Sequence, residues 1–361
     1  DGKPIKRADL TREQARPSIS GIRQPWAESV AMGLTPERLA SILRSAAQGD
    51  GHDYAILAEE MEERDPHYAS VLGTRKRAVS GVEPVVHAAG EDAQAQKIAE
   101  AVREVIADAA AWAGLVEDLM DAVGKGWSAV EIGWERGARL WRPATFTWAD
   151  PRWMVWDRDT GRELRLRTDA APVWGEPLAP YAWIVHRASH KAGVPLRGGL
   201  ARLVAFGWIC KAYAVKDWIA FAEIYGLPLR LGRYGPAATK EDVRVLHTAV
   251  ASIGSDAAAV LPESMRIEFQ ELAAKSDGGA LFETLARWVD EQTSKAVLGQ
   301  TMTADSGSSR SQAEVHDGVR HDILKADARA LAATINRDLI RAVVALNFGP
   351  QEAYPQVEIP V

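Results

Sequence analysis

The chain has 361 residues, and its 43 Lys and Arg against 49 Asp and Glu give a formal net charge of −6. This acidic balance argues against a protein that grips nucleic acid through a broad basic face, because tight phosphate binding needs clustered Lys and Arg. The length allows two or three domains, and no apolar run approaches the about 20 residues that a membrane-spanning helix needs.

The N-terminal region is predicted to be an extended arm followed by helices. Residues 1–34 contain three prolines and Gly21 and are expected to form a poorly ordered arm. The chain begins with Asp1 rather than Met and has no apolar signal segment, so we expect a processed or incomplete chain. Helices are then predicted at residues 35–49, 53–64, 65–81, 93–109 and 113–123, with a short strand at 82–86.

The hydrophobic period changes to that of strands between Trp127 and His186. Strands are predicted at residues 129–134, 140–148, 152–157, 163–168 and 182–186, with Pro, Gly and Asp at the turns. Most of the 13 tryptophans also lie in or beside this segment, which indicates a Trp-rich core or a subunit interface. Strands flanked by helices predict the α+β fold class.

The second half is predicted to contain two helices around a small insert, then a loop and a last long helix. The helix over 200–225 is about 39 Å long and too apolar all round to be solvated. Cys210, the single cysteine, excludes an intrachain disulfide, indicates synthesis in a reducing cytoplasm and is expected to be a small buried hydrophobe. The insert is predicted to have strands at 228–231, 257–261 and 266–269, and a helix that opens with a capping box at Thr239 and Asp242. A helix at 279–298, a polar loop at 299–310 and a helix at 309–347 complete the chain, and a helix of that length suggests a bundle, a coiled coil or a large ring.

The sequence presents no catalytic constellation. Gly124-Lys125-Gly126 lacks the spacing of a phosphate-binding loop. His186 and His190 are expected in an exposed basic loop, and His316 and His321 on a solvated or intersubunit helical face; neither pair has the further ligands of a metal site. We therefore predict no catalytic residue, no metal and no cofactor.

A short basic run is the one local hint of nucleic-acid binding. Residues 75–77 (RKR) follow the acidic stretch 59–65, so the run is expected to be balanced by neighbouring charges.

Three segments, in this order, resemble the portal proteins of Mu-like bacteriophages. Residues 65–79 (DPHYASVLGTRKRAV) are similar to an early helix of that family. Residues 126–135 (GWSAVEIGWE) look like its Gly-x-Ser-x-x-Glu-Ile-x-Trp strand. Residues 193–200 (GVPLRGGL), which lead into a long apolar helix, resemble the entry to the stem. The resemblance covers about residues 1–348.

The resemblance implies a division of the chain into named parts. These are an N-terminal arm (1–19), a wing (20–199), a first stem helix (200–226), a clip (227–277), a second stem helix (278–298), a tunnel loop (299–310), a long wing helix (311–348) and a C-terminal tail (349–361). A helical crown would be absent or lie outside this sequence.

The resemblance also implies a function and partners. The expected assembly is a dodecameric ring at one capsid vertex, through which double-stranded DNA passes during packaging and ejection. Expected partners are the terminase large subunit, the head-tail adaptor, and the major capsid and scaffolding proteins, with no membrane and no enzymatic activity. The protein would be made in the bacterial cytoplasm and reside in the virion.

The residues that this resemblance implicates form three groups. The channel and tunnel-loop group is Arg287, Glu291, Lys295, Thr301, Met302, Thr303, Asp305, Ser308 and Arg310. The docking group on the clip is Lys240, Glu241, Arg244 and His247. The subunit-interface group is Trp208, Trp218, Phe221 and Trp288. Acids such as Glu291 and Asp305 would repel phosphate, and the basic members would give weak, salt-sensitive contacts.

Two alternatives remain open from the sequence. Another virion assembly protein, such as an adaptor or a minor head protein, would lack the order helix, insert, helix, loop and long helix. A metal-dependent hydrolase built on the histidines is the third hypothesis, and metal analysis of the purified protein would test it.

Overall fold

The computed structural model describes residues 6–137, 139–188, 190–225, 229–252, 265–270, 277–301 and 310–361. The chain divides into two compact units: unit 1 comprises residues 1–209 and 290–361, and unit 2 comprises residues 210–289. Both units combine helices with small antiparallel sheets, which confirms the α+β class. Among the described residues, no helix is both long and apolar enough to span a membrane.

Unit 1 begins with four helices, two of which start at the capping residues that the sequence predicts. The four helices are α1 (Arg7–Thr11), α2 (Pro36–Ala47), α3 (His52–Arg64) and α4 (Pro66–Ser80). Thr35 accepts a hydrogen bond from the backbone N–H of Arg38, and Asp65 accepts from the N–H groups of His67 and Tyr68. Each cap satisfies backbone donors that have no partner inside the helix.

The prediction of a poorly ordered arm is wrong for residues 6–34. Two buried carboxylates fix this segment to the body of unit 1. Glu131 accepts from the backbone N–H groups of Gln14 at 2.6 Å and Ala15 at 2.9 Å. Glu60 accepts from the N–H groups of Val30 at 2.9 Å and Ala31 at 2.8 Å. Residues 6–34 therefore form a strap that is bound to the body of unit 1 rather than a free tail.

The next helices are shorter than predicted at one junction. Strand β1 (Val85–His87) precedes α5 (Ala93–Ile106), α6 (Ala109–Met120) and the short α7 (Ala122–Lys125). Helix α5 ends before residue 109 because Asp108 caps α6, accepting from the N–H groups of Ala110 and Ala111.

Unit 1 contains two three-stranded sheets, and the central strand of the first is mostly buried. Strand β2 (Trp127–Arg136) lies between β3 (Trp141–Trp148) and β7 (Trp183–Arg187), with both pairings antiparallel. A second sheet contains β4 (Met154–Trp156), β5 (Leu164–Leu166) and β6 (Glu176–Pro177). Most of β2 is buried, because helix α6 packs on this sheet. The Trp-rich core that the sequence predicts is present here, with Trp127 and Trp156 in edge-to-face contact at 5.8 Å.

Three long helices follow. Helix α8 (Leu200–Tyr225) is continuous from unit 1 into unit 2, and α10 (Asp277–Leu298) returns to unit 1. The predicted last helix is present as α11 (Arg310–Ile335) and α12 (Arg341–Phe348), joined by a π turn at Asn336–Ile340.

The π turn has a structural cause in its side-chain contacts. Asn336 bonds both the N–H and the carbonyl of Val357, in the tail strand β10 (Gln356–Glu358), which pairs with β1. Asp338 accepts from the N–H of Val185 on β7 at 3.0 Å. The wider turn therefore satisfies backbone groups of two neighbouring strands.

Unit 2 contains the insert. Strand β8 (Leu229–Tyr234) pairs antiparallel with β9 (Met265–Gln270), and α9 (Lys240–Ser252) lies between them in the chain. Thr239 and Asp242 form the predicted capping box, with the Thr239 N–H donating to Asp242 at 2.8 Å. Helix α9 packs closely on β8, since a Cβ at Gly232 would lie 3.0 Å from Leu246 and Val250. The predicted strand at 257–261 lies outside the described residues.

Candidate channel and docking residues

Helix α10 carries a line of exposed charges. Arg287, Glu291 and Lys295 are spaced by four residues, which places them along one face of the helix, and all three are exposed. Arg287 also pairs with Glu283 one turn earlier, at 2.8 Å. The line therefore carries charges of both signs and is not a purely basic surface.

The same helix carries an apolar stripe on a neighbouring face. Leu281, Leu285 and Trp288 recur at helical spacing and are exposed, Trp288 by 56%. Helix α8 has a comparable stripe, which consists of Leu203, Phe206 and Tyr213. Exposed apolar stripes of this kind mark surfaces that another protein covers.

The four residues of the predicted subunit interface have different surroundings in the chain. Trp208 is already buried within unit 1, with 8% of its surface exposed, so little of it remains for a neighbour. Phe221 packs against Phe282 in unit 2, with ring centroids 6.0 Å apart. Trp218 and Trp288 stay exposed and are free to contact another subunit.

The four residues of the predicted docking group share one helix. Lys240, Glu241, Arg244 and His247 are all exposed on α9, whose Leu246 is buried against the insert. Arg244 pairs with Glu241 at 2.7 Å, so this surface is a mixed-charge face rather than a basic one.

The predicted loop lies between two fixed ends. Met302, Thr303, Asp305 and Ser308 lie outside the described residues; Thr301 is half-buried, and Arg310 is the first residue of α11. Helix α10 ends just before Gly299, whose φ of +70° favours glycine, and a Cβ there would lie 3.0 Å from Val319 on α11. The end of α10 is therefore packed against α11.

Arg75 was noted in the sequence only as part of a basic run, and the structure gives it a bridging role in this region. Its guanidinium binds both oxygens of Asp327 on α11, at 2.6 and 2.8 Å, and donates to the carbonyl of Val297 at the end of α10, at 2.9 Å. One side chain on α4 thus holds the two helices that flank the loop. Nearby, the ring nitrogen Nε2 of His67 lies 2.7 Å from the Ser294 hydroxyl.

Lys76, the next residue of the basic run, is neutralised, whereas Arg77 is exposed. Lys76 contacts Glu62 at 2.8 Å and Asp121 at 3.1 Å. Asp121 also pairs with the buried Lys125, which contacts Glu59. Although burial alone would lower the pKa of Lys125, the carboxylates of Asp121 and Glu59 raise it, so the ammonium stays charged. These groups join helices α3, α4 and α7 and leave no free basic patch there.

The histidines do not form a metal site in the part of the chain that the structure describes, where no cluster of three candidate ligands exists. The expectation that His186 lies in an exposed loop is wrong: it is on β7, 1% exposed, and its Nδ1 lies 2.9 Å from the Thr334 hydroxyl. Burial lowers the pKa of His186 to about 4, and Arg337 acts in the same direction. His190 donates to the carbonyl of Gly198, and His321 is exposed on α11.

Comparisons with known proteins bear on the whole chain. A family model described as the portal protein of Mu bacteriophage matches residues 55–361. The chain is 37% identical to the Mu-like prophage FluMu protein gp29 of Haemophilus influenzae, over all of this chain and 70% of that protein. It is 38% identical to the portal protein of Escherichia phage Mu, over 89% of this chain and 62% of that protein.

Solved structures show the same fold at low identity. A chain in the neck of an empty gene transfer agent particle has a TM-score of 0.53 at 12% identity, with 90% of this chain and 85% of that chain covered. A chain in the virion of the native gene transfer agent particle has a TM-score of 0.51 at 12% identity, with 90% and 84% covered.

Proposed function

The chain belongs to the family of portal proteins of Mu bacteriophage, and on that premise we propose that its copies form a ring around a channel for double-stranded DNA. Proteins of this family are structural, non-enzymatic components of the virion. In the proposal the ring is dodecameric and occupies one capsid vertex. The protein is made in the host cytoplasm and assembles with the major capsid and scaffolding proteins.

The exposed apolar stripes on α8 and α10 are the observation that carries this proposal. Leu203, Phe206 and Trp288 are each more than half exposed, although helices of this composition normally bury such side chains. A ring covers these surfaces, because every subunit has a neighbour on each side. The stripes therefore fit an oligomer better than a monomer.

The polar line on α10 fits a channel wall. Arg287 and Lys295 attract phosphate, whereas Glu291 between them repels it, so the line gives no strong net attraction. DNA that must slide cannot be held by tight, fixed contacts. In the proposal this face, Thr301 and the segment that follows it line the channel.

The insert of unit 2 is the proposed docking site for the terminase large subunit and the head-tail adaptor. Its two described strands and α9 form a small module between two long helices, and Lys240, Glu241 and Arg244 on α9 are exposed. Modules of this kind present partner contacts without disturbing the core that supports them.

Images of the purified protein in negative stain test the proposal directly. The expected result is rings with a central hole, and native mass spectrometry of the same sample gives the number of copies. A protein that stays monomeric at micromolar concentration, or that forms only closed dimers, would contradict the proposed function.

A further inference from the structure

A pocket of about 430 Å³ lies at the outer edge of β7, in unit 1. That volume is within the range of about 300–1,000 Å³ that is typical of binding pockets. Its walls include Leu164, Pro180, Tyr181 and Trp183, which are apolar or aromatic, and the guanidinium groups of Arg187 and Arg337. None of these residues has a place in the proposed channel or docking site.

Two unusual backbone features meet at this pocket. Tyr181 has a φ of +64°, in the left-handed region that side chains other than glycine rarely adopt, and its carbonyl accepts a hydrogen bond from the Trp134 indole at 2.7 Å. Arg337 and Asp338 come from the π turn of the last long helix. Strained backbone and π turns both concentrate at functional sites, so their coincidence here points to a ligand.

The pocket is lined by two guanidinium groups and one carboxylate, so its formal net charge is positive. Arg337 and Asp338 pair with each other at 2.7 Å, and together they bind the carbonyl and the N–H of Val185. Arg187 stacks on Trp156 at 4.5 Å and donates to the Arg162 carbonyl, which fixes its orientation. Among the described residues, no carboxylate is in salt-bridge contact with Arg187. The pocket is therefore prepared for one carboxylate beside an apolar group.

The strap presents a carboxylate beside an aromatic side chain at residues 26–28, elsewhere in unit 1. Trp26 is 81% exposed and Glu28 is also exposed, and neither has a hydrogen bond or ion pair among the described residues. The chain before Trp26 is fixed, because the Gln24 carbonyl accepts from Trp153 at 3.2 Å and the Pro25 carbonyl accepts from Arg152 at 3.0 Å. Residues 26–28 are thus a projecting knob with an aromatic ring and a free carboxylate.

The other exposed tryptophan of unit 1 is a poorer candidate. Trp174 already lies against Arg158, with the guanidinium carbon 5.5 Å from the ring. Trp26 lacks such a contact and is the more exposed of the two. Exposed tryptophans with no intrachain cover are the side chains that most often anchor protein interfaces.

We infer that the pocket receives Trp26–Glu28 of a neighbouring copy of this chain, with Glu28 pairing with Arg187 and Trp26 packing on the apolar wall. The inference rests on the proposed function, because a ring sets copies side by side. Ring contacts are head-to-tail, so each subunit needs two different, complementary surfaces, one for each neighbour. The knob and the pocket supply two such surfaces, and their charges are opposite.

A charge swap tests this pairing. The variants are Glu28→Arg, Arg187→Glu and the two combined, with Trp26→Ala as a fourth that alters only the knob. Arg139→Glu and Glu104→Arg are matched controls, because both residues are exposed and have no charged contact among the described residues. Native mass spectrometry over a dilution series gives the concentration at which half of the rings dissociate.

Each single variant is expected to raise that concentration about tenfold or more, and the combined swap to return it to within about threefold of the unaltered protein. The controls should leave it unchanged. Single variants that behave like the controls would overturn the inference, and so would a combined swap whose rings dissociate as readily as those of the weaker single variant. In either case, rings of the unaltered protein would still support the proposed function. If the unaltered protein forms no rings, both the proposed function and this inference are contradicted. Circular dichroism checks folding, and if Arg187→Glu unfolds the chain, Glu28→Arg and Trp26→Ala decide the result.

Discussion

Buried charges in unit 1 join segments that are far apart in the chain. Glu131 and Glu60 each bind two backbone N–H groups of the strap, and Arg75 binds two helices at once. A buried charge is costly unless it is paired and fully hydrogen-bonded. Each of these side chains therefore favours the fold in which the distant segments that it bonds lie next to it.

Replacement of Arg75 with Met should lower the free energy of unfolding by about 3–5 kcal/mol, because Asp327 would keep a buried, unpaired charge. Arg75→Lys should cost less, since it keeps the charge but loses the two-point contact. Urea denaturation of the three proteins measures the difference. Arg77→Met is the control, because Arg77 is exposed, and it should change stability by less than about 0.5 kcal/mol. A loss below 1 kcal/mol for Arg75→Met, roughly the value of a surface pair, would show that the contact is weak.

The pKa of His186 predicts acid sensitivity. In the folded protein it is lowered to about 4 by burial, whereas in the unfolded chain it is about 6.5. The unfolded chain therefore binds the proton more readily, and stability falls as the pH drops from about 6.5 towards 4. At pH 5 this one group should remove about 2 kcal/mol relative to pH 7. His186→Gln should lose that much less stability between the two pH values, and equal losses would contradict the assignment.

At the scale of whole helices, α8 and α10 leave more apolar surface exposed than a helix of a monomer normally does. Part of the apolar surface of each helix is covered inside the chain, as the buried Trp208 and the contact of Phe221 with Phe282 show. Leu203 and Phe206 on α8 and Leu281 and Trp288 on α10 remain more than half exposed. Assembly is the step expected to cover them.

Trp218→Asp places a charge on the exposed surface of α8 and should prevent ring formation without unfolding the subunit, since Trp218 is 37% exposed. Light scattering should report monomers or aggregates instead of rings. Thr248→Asp, on the exposed surface of α9, is the control and should leave rings intact. Rings of ordinary mass and thermal stability for Trp218→Asp would remove α8 from the interface.

Helix α9 should affect partner binding rather than assembly. The double variant Lys240→Glu with Arg244→Glu reverses two exposed charges and breaks only the exposed pair of Arg244 with Glu241, which contributes little to stability. Ring formation should be unchanged, while pull-down of the terminase large subunit or the adaptor should fall about tenfold or more. If both partners bind the variant as they bind the unaltered protein, docking occurs elsewhere.

At the scale of the whole molecule, the segment between α10 and α11 is flanked on both sides by residues of unit 1. Arg75 and Gly299 hold the end of α10 against α11, so the segment can change in sequence without loss of those contacts. In the proposed ring, every copy of this segment is placed beside the channel.

Replacement of residues 303–309 with a shorter Gly-Ser linker should leave folding and ring assembly nearly intact. It should reduce the DNA that heads package or retain, because it removes the polar side chains that are proposed to contact DNA and widens the constriction. The measurement is DNA per assembled head, with a linker of equal length as the control. Normal heads with normal, stable DNA content would exclude the segment from the mechanism, and a subunit that fails to fold would show that the segment is structural.

The sequence by itself determined the features that depend on neighbours within a few residues. The caps at Thr35 and Asp65, the capping box at Thr239 and the continuous α8 follow from local hydrogen bonding and from hydrophobic periodicity. The order of three short segments was enough to indicate the family, which the comparisons confirm.

Only the tertiary structure decided which distant groups meet. Arg75 and Asp327 are 252 residues apart, His186 and Thr334 are 148 apart, and Gln14 and Glu131 are 117 apart. No local pattern marks such partners, because a charged or polar side chain has the same sequence signature whether it is solvated or buried against a complementary group. The strap was predicted to be poorly ordered for that reason: its prolines and glycine are local signals, whereas the carboxylates that hold it come from β2 and α3.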